Sequence, residues 1–259
     1  MPSLSPQLLA ALQEFSVHPR ILVALDFDGT LSPLVDKPQD ARPLPESAEL
    51  VEQLGRLPGV YTAVISGRNL DSLAEVYPEP LPEIRVGSHG AERRLPAAYA
   101  DAWTDSTLTA EQTQLLNSVT DRLQKIADKH HNVNVEYKPS ATVLHVRQAS
   151  DETASVAMRE AILALEQLEG IKLMSGKAVL EASVLNVNKG EALAWLRTRL
   201  DVQAVLFIGD DVTDENGFKV LTSDDIGIKV GSGATAATHH IESPFEIPDL
   251  LKSLISMRD

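Results

Sequence analysis

Ile21-Leu22-Val23-Ala24-Leu25 is followed without a break by Asp26-Phe27-Asp28-Gly29-Thr30. Five apolar residues on both parities, ending abruptly in acids and glycine, read as a parallel strand buried on both faces and running into a loop. The same form recurs where Val60-Tyr61-Thr62-Ala63-Val64-Ile65 meets Ser66-Gly67-Arg68, and where Ala204-Val205-Leu206-Phe207-Ile208 meets Gly209-Asp210-Asp211. Helical periodicity fills 46–57, 69–76, 189–200 and 214–221. Strands alternating with helices over short loops predict an α/β fold, a Rossmann-like core whose ligands sit beyond the carboxyl ends of a parallel sheet. All three polar clusters fall at that edge.

The middle of the chain follows another pattern. Thr109-Ala110-Glu111-Gln112 forms a capping-box sequence that opens a helix to about 129. Segments 132–138 and 141–148 alternate polar and apolar residues as strands around Lys138-Pro139-Ser140-Ala141. A helix over 151–168 and short strands over 171–174 and 178–183, joined through Ser175-Gly176-Lys177, complete an order of helix, strand, strand, helix, strand, strand. This predicts an inserted α+β (αββαββ) domain at 95–185, with 1–94 and 186–259 forming the core. Period two puts Glu136 and Lys138 on one strand face, with His145 and Arg147 sharing a face of the next strand and Glu181 opposite in parity to Leu180. Pro78–Pro82 reads as a stiff loop, and Ser5 before Pro6 as the cap of a first helix.

Composition narrows the function. The 259 residues carry 23 basic and 37 acidic side chains, a formal charge of −14, which argues against a phosphate-backbone surface and hence against nucleic acid. Aromatic residues, at 4%, are too few for base-stacking platforms, while 43% hydrophobic content excludes a disordered acidic tail. Without cysteine there is no thiol nucleophile, disulfide or Cys-based zinc site. The N-terminal stretch has neither a basic n-region nor a long apolar run, so a cytoplasmic protein with no membrane partner is expected, as a monomer.

Two carboxylates two residues apart after a buried strand suit phosphoryl chemistry: one attacks phosphorus, the other protonates the leaving oxygen and then deprotonates water. Asp26-Phe27-Asp28-Gly29-Thr30 resembles the first motif of the haloacid dehalogenase superfamily. Ser66 after the second strand, Lys189 in Val187-Asn188-Lys189-Gly190, and Gly209-Asp210-Asp211-Val212-Thr213-Asp214-Glu215 are similar to its remaining motifs in order. Within the superfamily, further stretches resemble the trehalose-6-phosphate phosphatases: Gly87-Ser88-His89-Gly90-Ala91-Glu92-Arg93, Glu136-Tyr137-Lys138, Leu144-His145-Val146-Arg147, Gly176 to Glu181 and Val230 to Thr235.

That resemblance implies roles. Asp26 is the nucleophile and Asp28 the acid/base. Mg²⁺ is held by Asp26, the Asp28 carbonyl and Asp210, with Asp211 and Asp214 in support. Phosphate is held by Ser66, Gly67 and Lys189, and the sugar by Arg68, His89, Glu92, Glu136, Lys138, Arg147 and Glu181. The implied reaction is Mg²⁺-dependent hydrolysis of trehalose 6-phosphate through an aspartyl phosphate. The alternatives are another glycosyl phosphate, such as glucosylglycerol phosphate, or a phosphomannomutase-like phosphotransfer. Asp214 reads equally well as a helix cap. After Glu181 the chain departs from the family by running Ala182-Ser183-Val184-Leu185-Asn186, without the usual basic residue. Gly231-Ser232-Gly233 after 226–230 offers a weak dinucleotide reading, discounted because no further strand is expected to follow it. His130-His131 and His239-His240 read as surface loop ends, and Trp195 as core packing.

Overall fold

Strand β1 (Ile21–Leu25) lies at the centre of a seven-stranded sheet because every one of its side chains is apolar and buried. The computed structural model describes residues 4–77, 82–99, 108–176 and 178–258. Its strands are β2 (Val60–Ile65), β3 (Ile84–Gly87), β4 (Glu92–Arg94), β5 (Asn134–Lys138), β6 (Ala141–His145), β7 (Lys172–Gly176), β8 (Val179–Ser183), β9 (Ala204–Gly209), β10 (Ile226–Val230) and β11 (His239–Ile241). The helices are α1 (Pro6–Ser16), α2 (Pro45–Gly55), α3 (Leu70–Val76), α4 (Ala110–Ala127), α5 (Asp151–Leu165), α6 (Lys189–Leu200), α7 (Glu215–Phe218) and α8 (Ile247–Arg258). The stiff loop read at 78–82 lies outside the described residues except for Pro82, as does Lys177 in the turn between β7 and β8.

The chain forms two compact units, Met1–Asp105 with Val187–Asp259, and Ser106–Asn186. In the larger, the order is β11-β10-β9-β1-β2-β3-β4, parallel except for β4. Strand parity divides its core. Ile21, Val23 and Leu25 pack with α1, α2 and α8 residues such as Leu12, Leu54 and Leu251. Leu22 and Ala24 pack with Leu193, Leu196 and Phe207 on the other face. A sheet covered on both sides needs continuously apolar strands, which is what β1, β2 and β9 supply. Ala97–Tyr99 belongs to this unit: the Tyr99 hydroxyl meets that of Tyr61 at 2.9 Å, and Arg199 Nε donates to the Tyr99 carbonyl at 2.7 Å.

The smaller unit is an antiparallel sheet, β5-β6-β8-β7. Leu144, Leu180 and Ala182 share one face and cluster with Val119 and Leu123 of α4 and Ala157, Ala161 and Leu165 of α5. Thr109 caps α4 with the full reciprocal capping box, and Ser150 caps α5.

Several expectations are corrected. Strand β6 ends at His145, so Arg147 lies in the following turn, exposed. A strand does follow β10: Gly231 and Gly233, at φ 81° and 129°, turn the chain, and β11 pairs parallel with β10. His239 and His240 therefore sit in an edge strand rather than a loop end. Helix α7 stops at Phe218, because Val220 and Leu221 donate to carbonyls three residues back and tighten the chain. Strands β3 and β4 had no separate sequence reading. Trp195 packs against the second core cluster with the Arg93 guanidinium 4.5 Å from its ring centroid.

Candidate active site

Asp26 is the first residue beyond the central strand, and its main-chain N–H continues the sheet by donating to Ile208 at 2.9 Å. The loop closes at once: Ser32 donates to the Phe27 carbonyl at 2.8 Å and Gly29 to that of Ser32 at 2.8 Å. Gly29 has φ 83°, and a Cβ there would lie 2.0 Å from a carboxylate oxygen of Asp210. Only glycine lets this loop approach the end of β9.

Lys189 begins α6, where a cation opposes the helix dipole. Two carboxylates overcome that cost: its Nζ lies 2.9 Å from Asp26 Oδ1 and 2.7 Å from Asp214 Oδ1. Asp26, Lys189 and Asp214 are 5%, 1% and 0% exposed. Asp214 caps no helix with its side chain. Its second oxygen instead accepts from the main-chain N–H of Asp210 at 3.1 Å and Asp211 at 2.9 Å. The cap reading is thus set aside in favour of a residue that orients Lys189.

Burial raises the Asp26 carboxyl well above the ordinary carboxylate range; Lys189 opposes this, while Asp214 and Asp210 add to it. Burial, with the Asp214 charge adding, likewise lifts Asp210 to about 6. Lys189 moves up although burial alone would lower it, because Asp214 and Asp26 outweigh desolvation. So close a set of carboxylates in low dielectric calls for positive charge.

Asp26, Asp210 and Asp214 each bring an oxygen within 4.8 Å of the others. These are hard oxygen donors, the kind that suit Mg²⁺. Since Asp214 already serves Lys189 and two N–H groups, the oxygens left to a cation belong chiefly to Asp26 and Asp210. Asp210 also accepts from Thr30 Oγ1 at 3.3 Å. Asp211 is exposed and outside the group.

The Asp28 carboxylate is also outside it. Arg68 grips both its oxygens at 2.6 Å, and is itself held by the Pro38 carbonyl at 2.9 Å. Arg68 therefore acts here through Asp28. Ser66 and Gly67 follow β2, the neighbour of β1, with Ser66 Oγ accepting from the Arg68 N–H at 3.1 Å. Behind them Ser88 and His89 take positive φ, 47° and 56°. Their N–H groups donate to the carbonyls of Arg68 at 2.7 Å and Ser66 at 3.0 Å. The His89 ring covers Gly67, where a Cβ would come within 2.6 Å of it. Glu92 accepts from Ser88 Oγ at 2.7 Å and the Leu70 N–H at 3.3 Å. His89 and Glu92 thus brace the Ser66–Arg68 loop.

In the smaller unit, register puts Glu136, Val143 and Glu181 in one cross-strand row. Lys138 Nζ lies 2.7 Å from Glu181 Oε2, and His145 Nε2 lies 2.8 Å from Glu136 Oε2. Arg147, beyond the strand, is not part of that row.

Sequence reasoning passed over Lys229, whose ammonium donates to the Asp210 carbonyl. The signal was available: one charged residue in an otherwise apolar, wholly buried strand.

Among the described residues no helix is long and apolar enough to cross a membrane. The family model described as trehalose-phosphatase matches residues 24–249. A trehalose-phosphate phosphatase of Mycobacterium marinum is 31% identical over 252 residues, covering 92% of this chain and 62% of the relative. An uncharacterized glycosyl hydrolase of Mycobacterium tuberculosis is 31% identical over 267 residues, covering 94% of this chain but 19% of its own length. The chain thus spans less than two thirds of either relative. In fold it is similar to the C-terminal domain of C. albicans trehalose-6-phosphate phosphatase, with a TM-score of 0.79, 22% identity and 98% of each chain covered. With a parallel-sheet core that ends in these carboxylates, the chain belongs to the trehalose-phosphatase family.

Proposed function

We propose that this protein is a phosphoric monoester hydrolase that converts trehalose 6-phosphate to trehalose and phosphate. The observation that carries the reading is the buried Asp26–Lys189–Asp214 chain beside Asp210, at the edge of a sheet matched by the family. Asp26 forms a bond to phosphorus while the bond to the sugar oxygen breaks, and Asp28, released from Arg68 and carrying a proton, supplies that proton to the oxygen. Asp28 then takes a proton from water, whose oxygen displaces Asp26 from phosphorus. Lys189, Ser66 and the Gly67 N–H hold the phosphoryl oxygens. Mg²⁺, held by Asp26, Asp210 and the Asp28 carbonyl, supplies the charge that keeps the carboxylates ionised and neutralises phosphate.

Sugar recognition is assigned to Glu136, Lys138, Arg147 and Glu181, whose charged groups donate to or accept from vicinal hydroxyls. The partner is a small sugar phosphate, with no nucleic acid or membrane involved, and the setting a cytoplasmic monomer.

The test is phosphate release from trehalose 6-phosphate, glucosylglycerol phosphate, glucose 6-phosphate and mannose 1-phosphate, with Mg²⁺ or with chelator. Trehalose 6-phosphate should give the highest kcat/KM, lost with chelator and restored by Mg²⁺. Equal turnover of glucose 6-phosphate contradicts the disaccharide assignment. Phosphate moved to another sugar position, rather than freed, would favour the mutase.

A further inference from the structure

Lys229 is 6% exposed in a strand whose other four residues, Ile226, Gly227, Ile228 and Val230, are buried and uncharged. Burying an ammonium is costly unless a specific partner receives it. The partner here is a main-chain oxygen, the Asp210 carbonyl. Strand register explains the reach, since Lys229 pairs with Gly209, the last residue of β9.

The Asp210–Asp211 peptide is consequently held at both ends by buried charges. Its C=O accepts from Lys229, while its N–H donates to Asp214 Oδ2 at 2.9 Å. The preceding N–H, on Asp210, goes to the same oxygen at 3.1 Å. A peptide plane fixed on two sides fixes the direction in which the Asp210 side chain leaves the backbone. That direction decides whether its carboxylate meets Asp26.

We infer that Lys229 is a positioning residue that, together with Asp214, clamps the Asp210–Asp211 peptide and so preorganises the Asp26–Asp210 oxygens for a divalent cation. The inference rests on the reading that these carboxylates bind Mg²⁺. The sign of the effect separates a clamp from simple electrostatics. Lys229 is positive, so if it acted only by charge its removal would tighten cation binding. If it acts as a clamp, removal loosens binding, as loss of an outer partner of a metal ligand generally does, by about 10- to 100-fold.

The experiment measures Mg²⁺ dissociation constants for metal-free wild type, Lys229→Met and Lys229→Arg, by calorimetry and by Mg²⁺-dependent rise in Tm. Lys229→Met should bind at least about tenfold more weakly, and Lys229→Arg, which keeps a donor and the charge, should recover most of the loss. Equal or tighter binding by Lys229→Met overturns the clamp. Should Lys229→Met fail to fold, the same comparison uses Lys229→Gln, whose shorter side chain draws its donor back from the Asp210 carbonyl: weaker affinity than wild type supports the clamp, and affinity equal to or tighter than wild type overturns it. Wild type that does not bind Mg²⁺ at all overturns the cation reading itself, a separate outcome.

Discussion

The carboxyl edge of the large sheet and the charged face of the small one both gather charge, but by different means. At the large sheet, Asp26, Ser66 and Asp210 follow three neighbouring strands at the point where they stop, and Lys189 and Asp214 are buried among them. On the small sheet, Glu136, Lys138, His145 and Glu181 lie within strands, spaced by two and backed by an apolar face on α4 and α5. The first arrangement ties chemistry to folding. The second lets side chains change over an unaltered core, which the proposed sugar-binding role would use.

Breaking the large-sheet cluster should cost most. Lys189→Met leaves Asp26 and Asp214 buried without their cation, so urea denaturation should show a loss of about 3–5 kcal/mol, together with phosphatase activity. A loss under about 1 kcal/mol would mean that the cluster is not coupled to folding.

Asp225 tests whether burial with satisfied bonds stabilises that unit away from the edge. It accepts from Arg197, from the Thr222 N–H at 2.6 Å and from the Val205 N–H at 2.8 Å. Burial alone would raise its carboxyl, but these bonds outweigh it and hold it below the usual range. Its contribution is therefore present above the ordinary carboxylate pKa and is lost as pH falls through the lower folded-state value. Asp225→Asn should cost about 2–3 kcal/mol at pH 7, and the gap to wild type should narrow with acid. A gap that is constant from pH 7 to pH 3 would contradict this.

The small sheet should give the weakest effect on folding. Glu181→Gln takes the charge from one buried pair but keeps an oxygen for Lys138, and about 1.5 kcal/mol should be lost. KM for trehalose 6-phosphate should rise about tenfold, one lost charged hydrogen bond, with kcat changed less than threefold. The opposite split would move Glu181 from sugar binding into the chemistry.

Legibility divided along the same line. Strands β1, β2 and β9 could be read because burial on both faces demands nearly unbroken apolar runs, and Lys189–Leu200 from its helical spacing of apolar residues, to which the structure adds the Asn188 cap. Asp26, Lys189 and Asp210 followed from strand ends and motif order. What escaped depended on tertiary pairing. Strand β11 has three residues and forms only against β10. The Arg68–Asp28 pair joins residues 40 apart in sequence. Lys229 declared itself by charge, but its carbonyl partner was set by strand register. Arg147 was placed on a strand because its parity fitted, while β6 had ended at His145.

The central claim is that Asp26 attacks phosphorus. The most direct measurement is phosphate release from trehalose 6-phosphate by Asp26→Asn, in saturating Mg²⁺, on protein whose circular dichroism and Tm show it folded. The account predicts a loss of at least about a thousandfold, because the amide keeps the shape of the side chain but cannot attack. Turnover within tenfold of wild type would contradict it.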